Sequence, residues 1–198
     1  MQGTSRAKTS LWGAAAAALI GCAASLQCGA TIAAASGEGE VVAGNWQHHV
    51  AKFTYVGFTA FFTCGGLEDH VRQILMHLGA RADARVSATG CPGPIDSPSR
   101  SAWVEADFYS LAASEDPAAA GAVQAHWAPL QMSPKRPYFI RSGDCELFQA
   151  MKDLITKNFS LRDVEYSTSC FPHQDSLAGF DVKAEALQAV PVQNAVKG

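Results

Sequence analysis

Two histidines recur in matching contexts and are the first residues of this chain whose types could do chemistry. His49 lies in the segment QHHVAKF and His126 in the segment QAHWAPL, so Gln, His and Ala occur twice at the same spacing. Imidazole is a common metal ligand and an acid or base near neutral pH. A twofold relation between the halves could bring these histidines together, with Asp107 or Asp181 completing the site. This pattern allows a metal-assisted or acid/base hydrolase; its simpler interpretation is two strand histidines in ordinary hydrogen bonds.

Four cysteines are the second chemical feature, and each half of the chain carries two. Cys64 and Cys145 precede helical patterns, whereas Cys91 and Cys170 follow strand-like runs. A right-handed crossover runs the strands on either side of a helix parallel, so their carboxyl ends emerge at one edge of the sheet. We therefore expect the pairs Cys64–Cys91 and Cys145–Cys170 among the three possible connectivities. The chain has no CxxC pair and no zinc-ribbon spacing, which favours disulfides over a metal or redox site.

Other catalytic motifs do not occur in the sequence. It contains no GxSxG or HExxH sequence and no glycine-rich phosphate loop, so no nucleophile elbow, zinc helix or nucleotide site is indicated. The sequence predicts no cofactor. His70 and His77 lie beside the apolar stripe of the first helical pattern, and we expect them on its solvated flank.

Residues 1–35 predict export. Arg6 and Lys8 are followed by an apolar stretch built mainly of Ala, Leu, Ile and Gly, and small residues come after it. These three features are typical of a cleaved secretory signal, and we expect cleavage after Ala30 or Ala35. The uncharged run is also long enough to span a bilayer, so a permanent membrane anchor is an alternative.

The segment LIGC, which ends at Cys22, gives a second alternative for the N-terminus. It resembles the lipobox of bacterial lipoproteins, in which the cysteine becomes the lipidated first residue. Lipidation of Cys22 would leave Cys28 unpaired in a tether, whereas cleavage after Ala30 or Ala35 removes both cysteines and leaves four. Because an unpaired cysteine is unusual in an exported protein, the sequence favours a secreted or periplasmic protein over a lipoprotein anchored through Cys22.

The charge balance excludes one class of partner. The chain has 15 Lys and Arg residues against 18 Asp and Glu residues, a formal net charge of −3. Loss of Arg6 and Lys8 with the signal makes it more acidic, and no basic cluster remains, so nucleic-acid binding has no electrostatic basis. We expect no membrane span after signal cleavage, and a cell-envelope protein or glycan as the partner.

The chain behind the signal is organised as two similar units. The predicted segments are a signal peptide (1–35), a tether (36–45), a first unit (46–113), a linker (114–123), a second unit (124–190) and a tail (191–198). In each unit, apolar residues at positions i, i+4, i+7 and i+8 predict an amphipathic helix. These residues are Leu67, Val71, Ile74 and Leu75 in the first unit and Leu147, Met151, Leu154 and Ile155 in the second.

Strand patterns complete each unit. Aromatic and β-branched residues predict two strands before the helix, the second of them at residues 58–63 and 138–141, and alternating apolar residues predict two more after it. One helix cannot cover its own strands and also close their edges. The predicted fold class is therefore α+β, with two ββαββ repeats about a pseudo-dyad, both helices on one face of a two-layer structure and one disulfide per repeat.

A longer pattern extends over the first unit. The segment FTCGGLEDHVRQILMHLGARADARVSATGC resembles a family of uncharacterised exported proteobacterial proteins that share a C-x-GL-x-x-x-VR-x-x-L-x-x-x-GAR…GC pattern. The resemblance covers residues 46–113. It implies a bacterial cell-envelope protein and transfers no catalytic residue.

Together these patterns predict an exported, disulfide-stapled and non-catalytic protein that binds or scaffolds a partner through its sheet surface or its loops. The hydrolase that would use His49 and His126 is the second hypothesis. Convergence of these two histidines in a pocket distinguishes the two.

Overall fold

The computed structural model describes residues 40–91, 97–116, 120–170 and 179–191. The predicted signal peptide with Cys22 lies outside these ranges, as does the predicted tail beyond Pro191. The elements are β1 (Val41–Val56), α1 (Cys64–His77), β2 (Arg85–Thr89), β3 (Ser101–Ala113), β4 (Val123–Met132), α2 (Cys145–Asn158), β5 (Leu161–Thr168) and β6 (Phe180–Ala189). A 3₁₀ turn, Ser142–Asp144, leads directly into α2.

The strands form one six-stranded antiparallel sheet with the order β2-β3-β1-β4-β6-β5. The first strands of the two halves, β1 and β4, pair at the centre through Val41–Gly44. β1 and β2 are both antiparallel to β3, so they run parallel to each other, and β4 and β5 are related in the same way through β6. The carboxyl ends of each parallel pair therefore emerge at the same edge of the sheet.

Both predicted disulfides are confirmed. Cys64, the first residue of α1, is bonded to Cys91, which follows β2, and their Cα atoms lie 6.0 Å apart. Cys145, the first residue of α2, is bonded to Cys170, which follows β5, with Cα atoms 5.6 Å apart. Each bridge ties the start of a helix to the end of an edge strand.

The mixed α+β class is also confirmed, but the number of strands is not. Residues 58–63, predicted as a strand, leave the sheet after β1. The chain turns at Gly57, where any side chain would overlap the Tyr55 hydroxyl, and Phe62 forms an isolated bridge with Ser99. A sharp turn enforced by close packing overrides the strand preference of the aromatic residues.

The predicted strand at residues 138–141 is likewise absent from the sheet. Pro134 and Pro137 precede it and have no N–H group to donate to a ladder. The chain instead forms a tight turn in which Ser133 and Arg136 exchange backbone hydrogen bonds of 2.8 Å. Each half is therefore β-α-β-β. The two irregular segments lie outside the sheet, and their aromatic side chains line a cleft beside α1.

Local sequence signals set the bounds of α1. The Thr63 hydroxyl accepts a hydrogen bond from the Gly66 N–H at 2.9 Å and caps the helix. Gly79, with φ of +98°, follows the last turn in the left-handed conformation that favours glycine. The chain can therefore reverse directly after α1 and enter β2.

Both helices pack on one face of the sheet. Their predicted apolar stripes are buried there, and alternate strand residues such as Val104, Phe108 and Val182 complete one continuous core. The eight stripe residues are Leu67, Val71, Ile74, Leu75, Leu147, Met151, Leu154 and Ile155.

Candidate functional site

The predicted metal site is not assembled in this structure. His49 and His126 both lie on the helix-covered side, but they are far apart: His126 is opposite Val41 across the central strand pair, and His49 is eight residues further along β1, roughly 26 Å at strand spacing. His49 Nε2 lies 3.0 Å from the Ser110 hydroxyl. Burial, followed by the neighbouring His48, holds the pKa of His49 below its usual value.

The two candidate carboxylates face the opposite side of the sheet. Asp107 Oδ1 lies 2.7 Å from His48 Nε2, and Asp181 contacts Gln131 at 3.3 Å and Lys183 at 3.4 Å. Side chains alternate between faces along a strand, so Asp107 cannot join His49 on the helix side. No group of three potential metal ligands occurs among the residues that the structure describes.

The sheet register also changes the match between the two histidines. Phe53 pairs with Val104 in the first half, and Met132 pairs with Val182 in the second. Aligning Val104 with Val182 therefore aligns Phe53 with Met132. Six residues earlier on each strand, His126 is then aligned with Gln47, which lies two residues from His49. On this alignment the similar sequences around His49 and His126 differ by two positions in the sheet.

A different histidine forms the centre of a buried polar cluster. His70 on α1 is 8% exposed, and its Nε2 lies 2.8 Å from Asp144 Oδ2. Asp144 is completely buried, and the same oxygen accepts a hydrogen bond from the Arg141 N–H at 2.6 Å. The Phe62 ring stacks on the imidazole at a centroid distance of 5.4 Å. The pair joins the helix of the first half to the start of the helix of the second.

Glu146, in the first turn of α2, makes another contact between the halves. Its Oε2 accepts hydrogen bonds from the backbone N–H groups of Phe58 at 2.7 Å and Thr59 at 3.1 Å, and from the Thr59 hydroxyl at 3.1 Å. The carboxylate therefore holds the irregular segment after β1 against the second helix.

Tyr55, at the end of β1, completes the cluster. Its hydroxyl donates a hydrogen bond of 2.6 Å to the carbonyl oxygen of Ala60. Burial raises the pKa of Tyr55, and the nearby Glu146 and Asp144 carboxylates raise it further. Tyr55 therefore remains a neutral donor.

Next to this cluster, a cleft of about 490 Å³ opens between α1 and the segment 138–141. His70 lies at its base between the rings of Phe62 and Phe139, whose centroids are 5.4 and 6.2 Å from the imidazole. Phe61 and Tyr138 border the opening, and Tyr138 is 92% exposed. The irregular segments thus supply the aromatic walls of a concave site.

The cleft continues in both directions. One adjoining depression passes Phe61 and Arg141 towards Gly143, and the other follows α1 towards Met76 and His77. The result is an elongated groove rather than an isolated hole. Burial lowers the pKa of His77, so the Met76 end of the groove is flanked by a neutral imidazole.

The uncovered face of the sheet is the other candidate surface. It carries all three tryptophans of the described residues, Trp46, Trp103 and Trp127. The Arg162 guanidinium lies 4.6 Å from the Trp127 ring centroid, and Arg81 lies 3.6 Å from that of Tyr109. These contacts cover the rings of Trp127 and Tyr109, whereas Trp103 is 66% exposed.

Charged residues of the same face are also paired with one another. Lys52 lies 2.8 Å from Glu105, and His48 lies 2.7 Å from Asp107. Large apolar side chains are exposed on both surfaces, but the cleft combines them with a concave shape and a buried polar base. The cleft is therefore the better candidate site.

Sequence reasoning missed the residues at the base of this site. His70 was expected on the solvated flank of α1, yet it lies between Leu67 and Ile74, at spacings of i+3 and i+4 on the buried face. That spacing could have indicated that His70 is buried. Asp144 and Glu146 precede and open α2, as helix-stabilising acidic residues commonly do, and nothing in their sequence context indicated contacts with a segment so distant in the chain.

No protein-family model, curated protein or solved structure matches this chain. None of the helices in the described ranges has the length and apolar character that crossing a bilayer requires.

Proposed function

We propose that this chain is an exported, non-catalytic binding module and that the groove between α1 and the segment 138–141 is its binding site. One observation carries the proposal: a concave aromatic site with a histidine at its base, hydrogen-bonded to Asp144, leaves Phe61, Met76 and Tyr138 exposed around it. Pockets that combine apolar walls with a few placed polar groups are the usual form of ligand sites.

The hydrolase hypothesis receives less support. Its constellation required His49 and His126 in one pocket, and these residues lie at different positions along the central strands. His70, the histidine that does border a cleft, directs one ring nitrogen to Asp144 and is stacked against Phe62. These contacts fix the orientation of the imidazole, so His70 is suited to form a rigid base for the groove.

Export is supported by the cysteines. Disulfides form and persist in oxidising compartments, and each bridge here joins the start of a helix to the end of an edge strand. Together with the basic and apolar sequence of residues 1–35, the two bridges favour a secreted or periplasmic location and a ligand from the cell envelope.

We further propose that the two halves arose by duplication and are related by a pseudo-dyad. Three features support this: each half has the order β-α-β-β, each helix begins at a bonded cysteine, and the strand order is the same outwards from the central β1–β4 pair. The groove uses residues from both halves, so it differs from anything one unit could form alone.

Binding at the groove can be tested with a small neutral probe. We expect N-acetyl-phenylalaninamide, titrated into the disulfide-bonded protein, to shift the backbone amide NMR signals of residues around Phe61, His70 and Phe139. Tyr138→Ala and Phe61→Ala should lower the affinity of the protein for the probe. The matched control Val164→Ala, at an exposed position on β5, should leave that affinity unchanged. Shifts confined to other surfaces, or unchanged affinity in both aromatic variants, would refute the proposed site.

A further inference from the structure

Building on the proposed binding site, we propose that its ligand is a protein C-terminus with a large apolar last residue. The groove would hold the terminal carboxylate near Arg141 and the last side chain between the rings of Phe61, Phe62 and Phe139.

The carboxylate preference follows from Arg141. This residue borders both the central cleft and the adjoining depression, and its guanidinium makes no ion pair with any side chain that the structure describes. A guanidinium has donors in a fixed fork that matches the two oxygens of a carboxylate. An unpaired guanidinium beside an aromatic cleft is therefore a suitable anchor for a terminal carboxylate.

Two further guanidinium groups and three carboxylates lie near the groove. Arg100 lies 5.1 Å from the Phe61 ring centroid, and Arg72 borders the far depression. Asp69 is the exposed carboxylate in the lining, and the carboxylates of Asp144 and Glu146 lie buried nearby, where each accepts hydrogen bonds from backbone N–H groups. These three acidic groups offset the three guanidinium groups, so the preference for a carboxylate rests on Arg141, the arginine that lines the central cleft itself.

The shape of the groove favours a chain end over a free small acid. From Arg141 the site continues past Tyr138 and Phe139 and along α1 to Met76. A single aromatic ring would fill only the central cleft. An extended peptide could lie along the remainder and hydrogen-bond with the side chains of Gln73 and Asp69, which line it.

A matched pair of peptides tests the carboxylate. N-acetyl-Ala-Phe with a free C-terminus and its C-terminal amide differ only in the charged group, and calorimetry with the disulfide-bonded protein gives their affinities. We expect the acid to bind about tenfold more tightly than the amide, as one charge-assisted hydrogen-bonded pair provides. Arg141→Gln should bring the two affinities together, whereas the control Arg85→Gln, at an exposed position on β2, should leave the ratio unchanged.

The outcomes separate this inference from the proposed function. Equal affinities for acid and amide in the unmodified protein, or an unchanged ratio in Arg141→Gln, would overturn the carboxylate assignment while binding at the groove stands. If neither peptide shifts the amide signals of the groove, both proposals fail. Shifts of these signals by N-acetylglucosamine tetramer, without any by the peptides, would identify a glycan site and overturn this inference alone.

Discussion

His70 and Asp144 form a buried hydrogen-bonded pair, with Nε2 and Oδ2 2.8 Å apart, that connects the two halves of the chain. The carboxylate is completely buried and the imidazole almost so. Removing one member of such a pair leaves an uncompensated polar or charged group in the interior, which is far more costly than the pair itself is stabilising.

His70→Leu should therefore destabilise the fold by about 3 to 5 kcal/mol, measured as the change in free energy of unfolding in urea. The matched control is Asp69→Asn, an exposed neighbour on the same helix, which should change stability by less than about 0.5 kcal/mol. A loss in His70→Leu no larger than in the control would show that the pair does not hold the halves together.

Elements that are set by neighbouring residues could be predicted from this sequence, whereas those set by distant contacts could not. The stripes that include Leu75 and Ile155 were predictable because helix periodicity is local. The disulfides were predictable because a crossover between parallel strands brings both carboxyl ends to one edge of the sheet. The predictions of strands at 58–63 and 138–141 were wrong. Close packing at Gly57 outweighs the strand preference of the first segment, and two prolines outweigh that of the second. The groove depends on contacts such as Glu146 with Thr59, which join positions distant in sequence, and no local pattern encodes them.

Stability should fall as the pH is lowered below about 6.5, the ordinary histidine value. Burial lowers the pKa of both His49 and His77 in the folded protein. Between the folded-state and unfolded-state pKa values, the unfolded chain therefore binds more protons than the folded protein. The contribution of these residues to stability is fully present above the unfolded-state pKa, and it is lost as the pH falls through the lower folded-state pKa values.

Urea unfolding at pH 7.5 and pH 5 measures this dependence. His77→Gln removes one titrating group and should reduce the difference between the two values. If the unmodified protein is equally stable at both, or the variant has the larger difference, the assignment to these histidines is wrong.

The mature protein should begin at Thr31 or Ser36. The small residues that end at Ala30 and Ala35 fit the cleavage preference of signal peptidase. Intact mass and N-terminal sequencing of the exported protein determine the site. A diacylglyceryl-modified Cys22 would instead make this chain a membrane-anchored lipoprotein.

Each disulfide should make a similar contribution to stability. The bridges span 27 and 25 residues, so each is expected to stabilise the fold by about 3 to 4 kcal/mol through constraint of the unfolded chain. The double variants Cys64→Ser/Cys91→Ser and Cys145→Ser/Cys170→Ser can be compared by urea unfolding. Peptide mapping without reduction should recover the same two pairs; a Cys64–Cys145 peptide would contradict this arrangement.

The two helices should unfold as parts of one cooperative unit. Leu75 is fully buried and Ile155 nearly so, and both belong to the same core on one face of the sheet. Truncation of such a side chain removes apolar contacts and leaves a cavity, which typically costs about 2 to 5 kcal/mol. We expect one calorimetric unfolding transition, and we expect Leu75→Ala and Ile155→Ala to lower its midpoint temperature by similar amounts, although the mutations lie in different halves. His70–Asp144 and Glu146–Thr59 reinforce that coupling, because each contact has one partner in each half. Two transitions, each shifted by only one of the variants, would mean that the halves fold independently, and a groove built from both would then lack a rigid frame.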